Sequence, residues 1–577
     1  MPVVTRAEPG SETPATVCGF PRARFTLPFL FATVFLATAS AASPVFAQSG
    51  QSGGAGAQKV SVFAMPKAQE AQLALAGMVR SGDLDKAAPL VEQILGRFPT
   101  LPFPNFVAAV LSVRKGDGEG ALGFLETAFA NGFRDPGALE QNALFNPIRN
   151  DPRFADLLAR MKAPAAEREA QTTEPRPVQN GEAEVEEDNT GWDPRLNLLQ
   201  SSFTFNSKLF ASRTVDGGQD KAADLLNDLF RGGKAAGNIG DLYDNRDRGH
   251  SPIAKTLLPQ VAMVKYGSGA KASGLDYGFN SKLFYNAPAF GNSSVGVNGM
   301  FSVARMALGN PREASILYLQ YRANQLYVYP SVHDYSAKTG DAFTANTPYT
   351  LVSLGKSRSD KPFLHAVANI LAAFKPDVKK DLIARKLLMP TVQMVFRRGL
   401  KGVESDGDYL SGKAHPVVFD GERIDREKMI RLANGLESAD IPPMVALSVL
   451  EESDISGGPP GMNPKGVVFD TPSALGRVMF DKGESKRLVV DASGTDANGG
   501  SSLQFHWVVL EGDRDRIRIT PQKNGSAAEI VVPWHGTRPS ANAPEIKTNR
   551  VDIGVFAQSG KSISAPAIIS IYNDPSR

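Results

Sequence analysis

Cysteine is almost missing from this chain: one of its 577 residues is a cysteine, Cys18. Cys18 lies upstream of an apolar run that reads as a cleaved signal, so the mature protein is expected to have no disulfide, thiolate nucleophile or cysteine metal site. A dominant charge sign is missing too, since 63 basic residues face 60 acidic ones for a net charge of +3. No global field selects nucleic acid or an anionic membrane, and no nucleic-acid partner is expected. Long hydrophobic runs are also scarce. Phe25–Thr38 is apolar for 14 residues, whereas a membrane span needs about 20. Arg22 and Arg24 precede it and Val45–Phe46–Ala47 forms a small-x-small-like cleavage site, so residues 1–47 read as a secretory signal peptide. The expectation is an exported protein, periplasmic or extracellular, with no transmembrane anchor after cleavage.

What is present divides by texture. Residues 48–65 begin rich in Gly, Ser and Gln and read as a flexible leader. Residues 66–162 carry helical periodicity over Ala68–Arg80, Leu84–Arg97, Pro104–Arg114 and Gly118–Asn131. Gly82–Asp83–Leu84–Asp85–Lys86–Ala87 recurs as Gly116–Asp117–Gly118–Glu119–Gly120–Ala121, displaced by 34 residues. That period and the small Ala87 and Ala121 resemble tetratricopeptide repeats, although Ala71 and Leu75 replace the usual aromatic and glycine of the first helix. The resemblance implies a concave surface for docking a protein or peptide; a small helical spacer explains the same periodicity.

Ala163–Thr190 contains eight acidic and two basic residues. Low hydrophobicity with net negative charge cannot offset the entropy lost on ordering, so 163–190 is expected to be an acidic disordered linker. Residues 191–454 form a mixed α/β central domain. Helical spacing marks Lys221–Phe230, Val297–Leu308, Phe363–Phe374, Pro376–Leu388 and Asp425–Leu436, and Pro390 is expected to break the pattern. Leu326–Tyr329, Tyr349–Leu354 and Val417–Phe419 read as short strands.

A Gly/Pro linker over 455–465 then leads to residues 466–577, whose short β-type runs are separated by turn signals. Here Val490–Asp491–Ala492–Ser493–Gly494–Thr495–Asp496, Leu503–Gln504–Phe505–His506–Trp507 and Glu511–Gly512–Asp513 follow in order. The series resembles the polycystic-kidney-disease-type immunoglobulin-like domain, with Val508 where an aromatic is usual. The resemblance implies a C-terminal β-sandwich with Trp507 as a buried plug, and such modules are common accessories of exported proteins that act on polymers. The whole fold class is therefore multidomain: an α-helical repeat region, a mixed α/β centre and a β-sandwich.

Chemistry concentrates in the central domain, which holds four of the six histidines, His250, His333, His365 and His415. Asp244, Asp247, Asp334 and Asp420 lie close to three of them. Histidine beside carboxylate on connecting loops suits acid–base work, and His333, Asp334, His250 and Asp247 are the catalytic candidates. Tyr329, Tyr335, Arg246 and His415 are the substrate-binding candidates, since aromatic rings offer an apolar face with a polar edge to a sugar. Core packing accounts equally well for alternating tyrosines, and His365, inside a helical run, reads as a structural histidine. No HExxH or HxH spacing identifies a metal, and no cofactor is indicated.

Two look-alikes fail. Ser353–Leu354–Gly355–Lys356 and Lys338–Thr339–Gly340 match penicillin-recognising motifs in inverted order. Thr350–Ser357 lacks the first glycine of a phosphate loop. Ser357, Ser359 and Asp360 read instead as helix caps. Asn245–Arg246–Asp247–Arg248–Gly249–His250–Ser251 and Pro390–Thr391–Val392–Gln393–Met394 resemble uncharacterised exported bacterial proteins with the same kind of C-terminal module, which brings no activity. The expected function is binding or hydrolysis of an extracellular polymer, a glycan, by the central domain. The alternative is a non-catalytic envelope scaffold or adhesion protein that contacts other envelope proteins.

Overall fold

The computed structural model describes residues 61–162, 173–193, 196–208, 213–279, 282–294, 311–331, 346–355, 357–458, 463–498, 502–540 and 547–574. All belong to one compact unit, Val60–Arg577. The expected signal peptide, most of the leader, the helix over Val297–Leu308 and the loop of His333, Asp334 and Tyr335 lie outside them. The fold is mixed α/β, with helices and several sheets. Among the described residues no helix is long and apolar enough to cross a membrane.

Helices α1 (Met65–Arg80), α2 (Leu84–Arg97), α3 (Pro102–Arg114) and α4 (Gly118–Ala130) form two hairpins, followed by α5 (Pro152–Lys162). The turns between α1 and α2 and between α3 and α4 use Gly82 and Gly116, both at φ +79°, a left-handed conformation that costs glycine little. Ala87 and Ala121 are wholly buried in one core with Val107, Leu125 and Phe154. The last residues of the expected leader are not free: Val62–Ala64 makes a 3₁₀ turn, and Phe63 is buried with Val185 and Trp192 of the central domain.

That burial bears on the acidic linker, which the structure also corrects. Glu182–Val185 is a strand, β1, with Glu182 and Glu184 exposed while Ala183 and Val185 are buried. The acids occupy alternate positions, so the strand hides its apolar face and leaves its charge in water. Thr190–Asp193 pairs with Leu198–Ser201, which pairs with Leu283–Tyr285 in a small second sheet.

The central sheet adds β2 (Leu242–Asn245), β3 (Ala262–Tyr266), β4 (Ala289–Asn292), β5 (Gln325–Ser331) and β6 (Thr350–Leu354) to β1. Its order is β6-β5-β4-β2-β3-β1 and every pairing is parallel. Helices α6 (Lys221–Arg231), α7 (Pro311–Arg322), α8 (Lys361–Ala373), α9 (Pro376–Ala384), α10 (Leu388–Arg398) and α11 (Arg426–Asn434) accompany it. Burial on both faces suits a parallel sheet, and Leu326, Val328 and Leu351 are fully buried. Pro390 does not break a helix but lies in the first turn of α10, where the missing N–H would have no intrahelical partner. Val417–Phe419 is not a strand; Phe419 makes an isolated bridge to Ser353.

Strands β7 (Ser448–Glu452), β8 (Val467–Thr471), β9 (Ala474–Met479), β10 (Ser485–Asp491), β11 (Gln504–Glu511), β12 (Arg518–Gln522), β13 (Ala527–Pro533), β14 (Arg550–Ser559) and β15 (Ala567–Asn573) complete the chain. One sheet runs β7-β10-β13-β12 and another β8-β9-β15-β14-β11. Leu488, Ile530, Ile553 and Ile569, drawn from both, share one core. Because β7 pairs with β10, the strands of the C-terminal sheets begin before the expected linker at 455–465. Trp507 is half-buried, its indole N–H donating to the Gly525 carbonyl at 2.9 Å.

The C-terminal sheets are fused to the centre. Tyr349 Oη lies 2.5 Å from Thr471 Oγ1 and accepts from the Ser473 amide at 3.2 Å. Tyr409 Oη donates to the Ser564 carbonyl at 2.8 Å. Phe469 and Phe556 belong to the same apolar cluster as β5 and α8.

Candidate functional site

In an open parallel sheet, ligands collect outside the carboxyl ends of the strands where the winding reverses. After β2 the chain adds β3 on one side and then crosses to place β4 on the other. The reversal lies between β2 and β4, whose last residues, Asn245 and Asn292, are register partners. Close approach there requires Gly291, because a Cβ would meet the Asp244 carbonyl oxygen at 1.9 Å.

The loop leaving β2 is tightly wound. Arg248, Gly249 and Ser251 have φ of 51°, 78° and 52°, and left-handed non-glycine residues mark backbone held by its surroundings. Asn245 Oδ1 accepts from the amides of Asp247 and Gly249, each at 3.1 Å. Its Nδ2 donates to the His250 carbonyl at 2.9 Å. The side chain of Asn245 thus folds the loop over itself.

This loop presents Asp247 and His250 together. Asp247 is 5% exposed and His250 Nδ1 lies 3.2 Å from its Oδ2, while the His250 side chain is 58% exposed. A carboxylate only accepts, so Nδ1 is the donor to Asp247, with Ser251 Oγ 3.0 Å from the same nitrogen; in the neutral imidazole Nε2 is then the acceptor. Ser294, just after β4, donates its hydroxyl to the same Asp247 oxygen. The result is a buried carboxylate orienting an exposed imidazole, an arrangement able to accept a proton from water or a substrate hydroxyl.

A second carboxyl sits behind it. Asp360, the residue before α8, is 1% exposed. It makes no capping hydrogen bond. Its Oδ2 accepts from Asn292 Nδ2 at 2.5 Å, and Oδ1 has no partner among the described residues. Asn292 Oδ1 accepts from Tyr243 Oη at 2.6 Å and from Asn245 Nδ2 at 3.2 Å. The chain Asp360–Asn292–Asn245 therefore ties the start of α8 to the His250 loop. Burial pushes the Asp360 carboxyl above its ordinary range, and Asp247 adds to the rise despite the Asn292 bond.

Three expected site residues are placed elsewhere. Arg246 is wholly buried: its Nε donates to Asp244 Oδ2 at 2.6 Å and its Nη2 to the Leu283 carbonyl at 2.8 Å. It cannot reach a ligand at the edge, because Asp244 and the hydroxyls of Tyr266, Tyr285 and Tyr327 enclose it. Tyr329 is 1% exposed and packs edge-on to Phe279 at 5.9 Å, so it is core. His415 is buried between Tyr409 and Phe556. Its Nε2 lies 2.6 Å from the Tyr409 carbonyl and its Nδ1 3.3 Å from Arg397 Nη1. His333, Asp334 and Tyr335 lie outside the described residues; β5 ends just before them at the same sheet edge.

Asn245, Asn292, Ser294 and Asp360 were missed by sequence reasoning. No local signal marked them, since Asn245 and Asn292 end strands rich in poor strand formers and Asp360 reads as a helix cap. His365 belongs to another cluster, with Nε2 2.7 Å from Asp216 Oδ2 and Nδ1 2.9 Å from Arg426 Nη1. Arginine only donates, so Nδ1 accepts, Nε2 carries the proton, and His365 has no nitrogen left for catalysis. Among the described residues no group of three or more His, Cys, Asp or Glu side chains is placed to hold a metal ion.

No protein-family model and no curated protein matches the chain. Among solved structures, a nucleoside hydrolase-related hypothetical protein from Saccharophagus degradans, described as associated with carbohydrate metabolism, is 12% identical. The match covers 50% of this chain and 71% of that one at a TM-score of 0.17, a value from which neither fold nor activity follows for this chain.

Proposed function

We propose that this is an exported envelope protein whose central domain binds and hydrolyses an extracellular glycan at the carboxyl edge of its parallel sheet. The observation that carries the reading is the Asp247–His250 pair at the winding reversal, with Nε2 exposed and the loop held by Asn245. In the hydrolytic step the water oxygen bonds to the anomeric carbon as the glycosidic C–O bond breaks. His250 Nε2 takes the water proton and the leaving oxygen is protonated from solvent.

The flanking regions are read as accessories. The β7-β10-β13-β12 order beside a parallel β9–β15 pair supports an immunoglobulin-like β-sandwich. The two glycine-turned hairpins with buried Ala87 and Ala121 support tetratricopeptide-like repeats that dock a protein or peptide.

A glycan array followed by reducing-sugar release on the bound polymers tests this. His250→Ala and Asp247→Asn should each lower turnover by about 100-fold or more, with thermal unfolding of the His250 variant unchanged. Turnover equal to the unaltered protein would remove the pair from catalysis. One observation favours the scaffold alternative: Asp247 and Asp360 are 5% and 1% exposed, leaving His250 as the ionisable group of the pair and its backing carboxyl that meets solvent. Silence of the full chain across the array would decide for it.

A further inference from the structure

Helix α8 begins at the candidate site and also lines a separate cavity of about 720 Å³. Asp360 precedes the helix on the site side, whereas Lys361 and His365 face the cavity, whose other walls include Lys221, Lys401 and Arg426. The first turns of α6, α8 and α11 all contribute to this lining, through Lys221, Lys361 and Arg426.

The charges around the cavity are unequally satisfied. Three acids line it, and each is engaged. Asp220 accepts from Arg426 Nη2 at 2.6 Å and from the Ala223 amide at 3.0 Å. Asp425 accepts from the Lys428 amide at 3.0 Å, and Glu427 from Arg431 Nη2 at 2.7 Å. The lysines are different. Lys401 Nζ donates to a neutral acceptor, the Glu422 carbonyl, at 2.9 Å. Among the described residues Lys221, Lys361 and Lys401 form no ion pair. Arg426 Nε is buried without a partner, while its Nη2 faces two acids, Asp220 at 2.6 Å and Asp216 at 3.6 Å. Against these three lysines the lining sets one carboxylate without a cationic partner among the described residues, Asp425, so the cavity keeps a local surplus of positive charge.

From this arrangement we infer that the cavity is a subsite for an anionic group carried by the substrate, which makes the glycan an acidic one. The inference rests on the glycan reading and narrows it. A carboxylate of a uronic acid and a sulfate ester on a neutral sugar present the same chemistry to these lysines. Asp360 of the candidate site and Lys361 of the cavity are consecutive at the start of α8, which is the link between the anionic subsite and the bond to be cleaved. Such contacts with flexible, exposed lysines act mainly through Coulomb attraction and weaken as salt is added.

The test uses the full chain and a double variant, Lys221→Ala/Lys401→Ala, which leaves Asp247, His250 and Asp360 in place. Affinities are measured for uronate oligomers, for the same oligomers with carboxyls reduced to alcohols, and for sulfated oligosaccharides, at low and high salt. The expected result is binding of an acidic series that the double variant weakens by about tenfold at low salt, with the reduced oligomers unaffected. Preference between uronate and sulfate assigns the source of the anion. If acidic and reduced oligomers bind equally, or if the double variant binds the acidic series as tightly as the unaltered chain, the subsite is refuted while the glycan reading stands. If no oligosaccharide of any kind binds, the glycan reading falls and the subsite with it. An Arg426→Lys variant, followed by thermal unfolding, separates loss of the cavity wall from loss of charge.

Discussion

Substituting Arg246 and Asp244 separately should reveal which of them the core can least spare. Both side chains are fully buried, with Nε and Oδ2 2.6 Å apart. Asp244 also accepts from Tyr266, Tyr285 and Tyr327 at 2.6, 3.0 and 2.7 Å. Breaking a buried ion pair by removing one partner costs about 3–5 kcal/mol, because the survivor keeps a buried charge. In Arg246→Ala the surviving carboxylate still has three hydroxyl donors, each bond to a charged group being worth about 1.5–3 kcal/mol. The cost should fall near the lower end, about 3 kcal/mol, or a drop of about 3 °C if the whole unit Val60–Arg577 unfolds together. In Asp244→Ala the guanidinium loses its counter-ion and the hydroxyls lose their acceptor. Tyr266 and Tyr285 retain each other at 3.2 Å and Tyr327 retains Gln325 at 3.5 Å. The added penalty is therefore about 2–3 kcal/mol, bringing the total to roughly 5–8 kcal/mol, comparable to the whole stability of many domains. Tyr285→Phe should cost about 1.5 kcal/mol, the low end for a bond to a charged group, because Tyr266 and Tyr327 still donate to Asp244. Thermal unfolding by circular dichroism, with limited proteolysis as a second probe, should rank the variants Tyr285→Phe, Arg246→Ala, Asp244→Ala. An Arg246→Ala protein with unchanged unfolding temperature but lost ligand binding would refute the assignment and return Arg246 to the ligand.

Two further predictions use pH. The folded-state pKa of Asp360 is raised, so folding favours its protonated form; that contribution is fully present below the ordinary carboxylate value of about 3.9 and is lost as pH rises through the raised value. Asp360→Asn keeps an acceptor for Asn292 and should unfold at a higher temperature than the unaltered chain at pH 7, with the gap closing at pH 4; a lower unfolding temperature at pH 7 would contradict this. His415 behaves oppositely, since burial, and then the Arg397 charge, hold its pKa well below the ordinary range. Its unfolded form takes up a proton near pH 6.5, so stability present above that pH is lost as pH falls. His415→Gln can still donate to the Tyr409 carbonyl and should flatten the decline in unfolding temperature between about pH 6.5 and 5; an unchanged slope would remove His415 as a source of acid sensitivity.

What could be read in the sequence was whatever leaves a local trace. Strands β5 and β6 were visible because Leu326–Tyr329 and Tyr349–Leu354 are apolar runs with β-branched and aromatic residues. Strands β2 and β4 were not, because Asp244, Asn245, Gly291 and Asn292 are poor strand formers, placed there by partners far away in the chain. The acidic stretch misled for a related reason: composition averages over faces, whereas Glu182 and Glu184 point one way and Ala183 and Val185 the other. That His250 and Asp247 meet was legible, because their i, i+3 spacing within one short loop brings them together. Arg246, immediately before Asp247 in sequence, was misassigned because its surroundings come from residues 266, 285 and 327, which no local window contains. Asp360 was taken for a cap, since nothing near it in sequence announces Asn292.

The candidate site is thus defined by register more than by motif. Asn245 pairs with Asn292, Val328 with Asn292 and Tyr329 with Val352, so the ends of β2, β4, β5 and β6 are mutually fixed. A slip of one residue in β2 would exchange the faces of Tyr243 and Asp244, breaking both the bond from Tyr243 to Asn292 and the hub around Arg246. The loop that carries His250 is held from below by that hub, through Arg246, and from the side by Asn245 and Asn292. The C-terminal sheets hold the far strand, since Tyr349, immediately before β6, is anchored to Thr471 and Ser473. Stability of the hub and geometry at His250 are consequently coupled through a single residue step in the chain. Substitutions that loosen Asp244 should alter the position of His250 even though Asp244 never meets a ligand, whereas substitutions of His250 leave the hub intact.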